Sequence, residues 1–168
     1  MQIRIAGMVN DSIVDGPGLR FTVFTQGCPH GCPGCHNPDT HDPMGGREED
    51  TRTIIDKMMK NPLLSGVTLS GGEPLVQPAA CLEIARAAHG AHLSVWAYTG
   101  FVWEDLLGQN DPDVMALLGE VDVLVDGPFL LEKRSLELDY CGSSNQRLID
   151  VPASLAQGKV VLWRPPVW

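Results

Sequence analysis

Short apolar runs alternate with stretches of helical spacing along this chain, and that alternation restricts the fold more than any other feature. Residues 20–26 (RFTVFTQ) alternate as a strand does and run into a loop of cysteine, glycine and proline. Residues 66–70 (GVTLS), 92–97 and 121–125 (VDVLV) read as further strands, the first and last of them short and buried. Between these runs, 48–60 has helical spacing with Ile54, Ile55, Met58 and Met59 apolar, and Asn61-Pro62 ends it. Residues 78–89 read as a helix with proline at its start and Gly90 just beyond. Two more helical stretches cover 102–107 and 112–118, and 146–151 and 159–163 read as closing strands, a hairpin or an edge pair. Strand and helix in repetition predict an α/β fold with a mostly parallel sheet. At 168 residues the chain suits one domain, 1–168, with one core. It is too short for an eight-unit barrel, which predicts an incomplete, open one.

Segments rich in chemistry fall just after strand ends: Cys28 to Cys35, Gly71 to Glu73, Tyr98 to Gly100 and Asp126 to Pro128. In parallel α/β sheets that carboxyl edge is where sites are assembled. Composition narrows the setting. Hydrophobic residues make up 43% and charged residues 20%, a soluble balance, and no apolar run is long enough to cross a bilayer. The N-terminal residues lack the layout of a secretory signal, so the expected location is cytoplasmic. A net charge of −9 argues against a nucleic-acid partner, which would need clustered Lys and Arg.

Five cysteines stand at 28, 32, 35, 81 and 141, an odd number unlike a secreted disulfide framework. Cys28, Cys32 and Cys35 are spaced C-x3-C-x2-C on a loop of glycine and proline that can wrap a compact inorganic core. Structural zinc and cubane electron carriers both take four protein ligands. Three cysteines would leave one iron of a cubane open, as a catalytic cluster requires. A zinc site completed by His30, His36, His41 or a distant cysteine is the alternative at this point. Cys81 falls within a predicted helix and reads as a small core residue. Nothing around Cys141 has the composition of a metal loop.

The cysteine loop after a first strand, with Gly71-Gly72-Glu73-Pro74 at the end of a later one, resembles the radical S-adenosylmethionine (SAM) superfamily. Asp15-Gly16-Pro17-Gly18-Leu19-Arg20 and Cys35-His36-Asn37-Pro38-Asp39-Thr40 are similar to its glycyl-radical enzyme activases. Val125-Asp126-Gly127-Pro128-Phe129 and Gly142-Ser143-Ser144-Asn145-Gln146-Arg147 resemble the branch that serves anaerobic (class III) ribonucleoside-triphosphate reductase. That resemblance implies a [4Fe–4S] cluster held by Cys28, Cys32 and Cys35 and chelated at its free iron by SAM. Gly71, Gly72 and Glu73 would line the methionyl amino group of SAM, and Gly34, Cys35 and His36 would contact its adenine by their backbone. Gly34 stands where much of the superfamily has an aromatic residue, and Cys141 where the reductase branch suggests arginine. Tyr98-Thr99-Gly100 replaces the Asp-Thr pair of a cation site, so no monovalent cation is expected.

The implied activity is reductive cleavage of SAM to a 5′-deoxyadenosyl radical, which removes a hydrogen from a glycine α-carbon of a large partner enzyme. Flavodoxin or ferredoxin is the implied electron donor. Asp15 to Arg20 and Gly142 to Arg147 read equally as partner-facing loops or as turn and cap compositions. His36 is expected beside the cluster, and His30 and His41 as loop residues. Trp96, Trp103, Trp163 and Trp168 are expected in packing. The alternatives are activation of another glycyl-radical enzyme, small-molecule chemistry of the deazapurine-synthase type, and a non-catalytic iron–sulfur or zinc module.

Overall fold

The structure is a computed structural model and describes residues 1–35 and 37–165. Among the described residues the strands are β1 (Gln2–Ser12), β2 (Arg20–Thr25), β3 (Arg47–Asp50), β4 (Gly66–Gly71), β5 (Ser94–Tyr98), β6 (Val123–Asp126) and β7 (Arg147–Asp150). They form one sheet in the order β3-β1-β2-β4-β5-β6-β7, open at β3 and β7. The central strands β2, β4, β5 and β6 run parallel, while β1, β3 and β7 join antiparallel at the edges. The helices are α1 (Thr51–Met59), α2 (Pro78–Gly90), α3 (Trp103–Gln109), α4 (Pro112–Leu118) and α5 (Val151–Gln157). The expected α/β fold with an open sheet is therefore observed.

Period-two alternation sorts the parallel strands into two different faces. Phe21, Val23, Val67, Leu69, Val95, Ala97 and Leu124 pack into one buried cluster with Ile54 and Met58 of α1, Ile84 and Ala88 of α2, and Leu117 of α4. That face carries the core. The opposite face begins with Arg20, Thr22 and Thr68, all buried and polar. Arg20 is 0% exposed, and its guanidinium donates to Thr68 Oγ1 at 2.8 Å, to Val67 O at 2.9 Å and to Ser94 Oγ at 3.0 Å. Burial lowers its pKa to about 10, so it stays charged at neutral pH. A small aromatic cluster continues this face, with the Trp96 ring 5.0 Å from both Tyr140 and Trp163. Trp96 and Trp103 are buried as expected, and Trp168 lies outside the described residues.

Three elements differ from the sequence reading. The expected helix over 48–60 starts only at Thr51, because Arg47–Asp50 pairs with β1 and Asp50 accepts from Arg52 N as the helix cap. β1 itself has no strand-like alternation beyond Ile3 and Ile5 and owes its conformation to its two neighbours. The expected strand over 159–163 contributes a single bridge, Ile149 to Leu162. The chain before it is helical, since Asp150 caps α5, Pro152 stands in its first turn and Gly158 ends it at φ +70°. No helix among the described residues is long and apolar enough to cross a membrane.

His89, at the end of α2, fastens that helix to the start of β6. Its Nδ1 lies 2.8 Å from Glu120 and its Nε2 2.9 Å from Asp122. Burial alone would lower its pKa, but hydrogen bonds to Asp122 and Glu120 outweigh it and the net shift is upward. A group raised on folding adds stability at pH below its unfolded pKa and loses it as pH rises through the folded value. The stability advantage of wild type over His89→Gln, read from urea melts, is expected to be largest below the unfolded histidine pKa of about 6.5 and to fall as pH rises through the folded value.

Candidate active site

Because β2, β4, β5 and β6 are parallel, the turns that follow them meet on one edge of the sheet. A cavity of about 560 Å³ opens there, within the range of sites that hold nucleoside-sized ligands. Cys28, Cys32 and Cys35 line it, together with Gly71 and Gly72 after β4, Thr99 and Gly100 after β5, and Gly127 after β6. The structure thus brings the expected cysteines and glycines into one wall. His36 lies outside the described residues. Gly34 lies under Leu131 and is absent from the cavity wall.

Backbone bonds set the cysteine loop against the glycine turn. Gly27 N donates to Thr40 O at 2.7 Å and Cys28 N to His41 O at 3.2 Å, which closes the base of the loop. Gly72 N donates to Thr25 O and Glu73 N to Gly27 O, each at 2.8 Å. The turn approaches so closely that a Cβ at Gly72 would stand 2.4 Å from the Gly27 carbonyl oxygen. Only glycine fits there.

The donor set fits an iron–sulfur cubane with one iron left to a ligand. All three thiols are free and half-exposed, and thiolates are the soft ligands such clusters take. The Cys28 thiol is pushed up by burial, against the pull of the His30 N–H directed at its sulfur. Asn37 N donates to Cys35 Sγ at 3.4 Å. His41 also lines the cavity, and its Nε2 is buried without a hydrogen-bond partner among the described residues. Among the described residues no three His, Cys, Asp or Glu side chains converge as ligands of a single ion would. A cubane spreads its thiolates over separate irons instead.

Glu73 is placed differently from Gly71 and Gly72. It is 0% exposed and absent from the cavity wall. Its Oε1 accepts from Thr99 Oγ1 at 2.9 Å, from Gly100 N at 2.7 Å and from His30 Nε2 at 2.6 Å, and its Oε2 accepts from Leu75 N at 3.1 Å. The carboxylate is therefore fully engaged by the protein, behind the surface that a ligand would touch. His30, which the sequence offers as a plain loop residue, is the partner that joins it to the cysteines. Nothing in the periodicity signals this bond; only its position between two cysteines hints at it.

The far wall of the cavity is a long loop, residues 127–146, drawn shut at its ends. Gln146 Nε2 donates to Gly127 O at 3.0 Å and Asn145 Nδ2 to Pro128 O at 2.8 Å. Arg147 then forks between buried Asp126 (Nη2 to Oδ2, 2.5 Å) and Glu104 (Nη2 to Oε2, 2.9 Å). The polar residues of the segment Gly142 to Arg147 thus build the wall, while Gly142 and Gln146 also face the cavity. Asp15 similarly accepts from Ser12 and Thr22, and its segment supports the floor around Arg20. Leu131 of the loop reaches the cysteine loop, where a Cβ on Gly34 would stand 2.8 Å from its Cδ1. Cys141 lies on the cavity wall with the three loop cysteines, whereas Cys81 is fully buried in α2, its thiol pushed up to about 12 by burial.

The chain is similar to several known proteins. Residues 14–149 match the family described as a 4Fe-4S single cluster domain. The anaerobic ribonucleoside-triphosphate reductase-activating protein of Vibrio cholerae is 35% identical over 143 residues, 80% of this chain and 89% of that protein. A pyruvate formate-lyase-activating enzyme from Clostridium pasteurianum is 38% identical over 99 residues, 55% of this chain and 42% of that enzyme. Among solved structures, QueE from Escherichia coli overlaps 60% of this chain and 53% of its own at 18% identity, with a TM-score of 0.46.

Gly72→Ala is expected to lower stability by about 1–3 kcal/mol in urea melts, since the new methyl group meets backbone that cannot yield. Gly108→Ala, in α3 with nothing within 4 Å of the added carbon, is expected to gain about 0.5–1 kcal/mol.

Proposed function

The chain belongs to the 4Fe-4S single cluster domain family and to the family of anaerobic ribonucleoside-triphosphate reductase-activating proteins, and from that premise we propose that it is a radical SAM activase that installs a glycyl radical on such a reductase. The observation that carries this reading is the meeting of Cys28, Cys32 and Cys35 with the Gly71-Gly72 turn on one cavity. In this reading the three thiolates would hold a [4Fe–4S] cluster, and SAM would lie against the backbone of Gly71, Gly72 and the loop that carries Cys35 and His36, with Gly34, which is absent from the cavity wall, behind that loop. When bound, the cluster, reduced by an external one-electron donor, would supply the electron that cleaves a sulfonium–carbon bond of SAM, releasing methionine and leaving a carbon radical able to take hydrogen from a glycine α-carbon.

The residues of this chain would bind, orient and shield. Gly72 lets the turn lie flat against the cysteine loop, so a ligand can reach both at once. Glu73 acts from behind, holding His30 on one side and Gly100 on the other. The loop 127–146 forms the wall opposite the cysteines, and the open side of the sheet leaves access for a loop of another protein. We take the whole of 1–168 as one radical SAM domain, working in the cytoplasm with flavodoxin or ferredoxin as donor.

Cys141 supports a second reading, since a fourth thiol shares the cavity. A non-catalytic cluster with four protein ligands would use it. Anaerobic reconstitution with iron and sulfide, followed by dithionite and SAM, separates the two. The activase reading expects 5′-deoxyadenosine from wild type, none from Cys32→Ala, and a cluster retained in both Cys81→Ala and Cys141→Ala. Loss of the cluster from Cys141→Ala, with no product from wild type, would establish the four-ligand module instead.

A further inference from the structure

We infer that His30 is a positioning residue that locks the cysteine loop to the sheet through Glu73, an inference that rests on the activase reading. His30 stands two residues after Cys28 and two before Cys32. Its ring is held on three sides. Nε2 donates to Glu73 Oε1 at 2.6 Å, the ring meets Phe101 edge-on with centroids 4.6 Å apart, and it lies against the Gly100 backbone. A Cβ on Gly100 would stand 2.4 Å from His30 Cδ2, so the glycine clears the space that the imidazole fills.

The partner is anchored as firmly. Glu73 is 0% exposed and also binds Thr99, Gly100 and Leu75, which ties its carboxylate to the ends of β4 and β5. Oε1 already accepts from a hydroxyl and an amide, and a carboxylate has only acceptor capacity for the imidazole, so the proton sits on Nε2. Among the described residues this is the one hydrogen bond that a side chain of segment 29–34 makes to the rest of the protein.

A loop of glycine and proline without that bond would have many conformations, and gathering three thiolates would cost the entropy of ordering it. With the bond, the ordering is done by the fold. The same ring placement fixes the His30 backbone, whose N–H is directed at the Cys28 sulfur. Hydrogen bonds to cluster sulfurs are one of the settings of cluster potential, because they favour the form with more negative charge. His30 therefore acts on both retention of iron and ease of reduction.

The test compares wild type, His30→Gln, His30→Phe and His30→Ala after anaerobic reconstitution. Iron retention against a chelator and the midpoint potential from an EPR-monitored redox titration are the readouts. Gln can present an N–H near the position of Nε2, and Phe keeps the ring against Phe101 and Gly100 without a donor. Removal of a group that orients metal ligands typically weakens metal binding about 10- to 100-fold. That loss is expected for His30→Ala and His30→Phe, with a more negative potential in the fraction that stays loaded, and His30→Gln is expected to restore both. His30→Phe or His30→Ala with wild-type retention and potential would overturn the inference while leaving the activase reading intact. His30→Gln as weak as His30→Ala would also overturn it. A wild type that takes up no cluster would overturn the activase reading, and this inference with it.

Discussion

Parallel pairing of β2, β4, β5 and β6 is the constraint on which the rest of the structure depends. Strands that run the same way end on the same edge, so the four turns that follow them have no choice but to meet. The cysteine loop, the Gly71-Gly72 turn, Thr99-Gly100 and Gly127 come from positions as far apart as Cys28 and Gly127 and share one cavity for that reason alone. Helices connect the parallel strands and cover one face, where Val23, Leu69 and Ala97 pack against them. The other face is left for polar residues and for the cavity, as in a barrel whose wall has been opened.

A polar inner face is costly to bury, and the structure meets that cost with nearly complete hydrogen bonding. Arg20 has donors satisfied by Pro17, Val67, Thr68 and Ser94, and Glu73 has four donors around its two oxygens. Asp126 accepts from Arg147 and from Trp103 N at the start of α3. Each of these charged groups joins two or three elements at a point where apolar packing would leave the cavity filled. They make the site rigid without closing it. The Nε2 of His41 is the contrast, a buried nitrogen with no hydrogen-bond partner among the described residues.

Much of the fold was legible because its signals are local. β2, β4 and β6 announce themselves by apolar residues between turn residues, and α2 and α4 by proline at their starts. β1 and β3 were not legible, since Glu48, Glu49 and most of β1 are strand only by pairing with distant chain. α5 carried its marks in Asp150, Pro152 and Gly158, but the apolar residues around it suited strands equally well. The motif segments Asp15 to Arg20 and Gly142 to Arg147 read equally as functional or structural. The structure makes their polar side chains structural and still sets Asp15, Gly142 and Gln146 on the cavity.

By itself the sequence determined the α/β class, the grouping of the thiols of Cys28, Cys32 and Cys35 on one loop, and the glycine turn at Gly71-Gly72. Spacing and residue type are enough for these, because a ligand loop and a close backbone approach are properties of a few adjacent residues. Only the tertiary structure decided that Glu73 faces inward to His30, Thr99 and Gly100, that Cys141 shares the cavity while Cys81 does not, and that Leu131 lies on Gly34. Those contacts join residues from different elements, and their geometry follows from strand order and register, which no local pattern encodes.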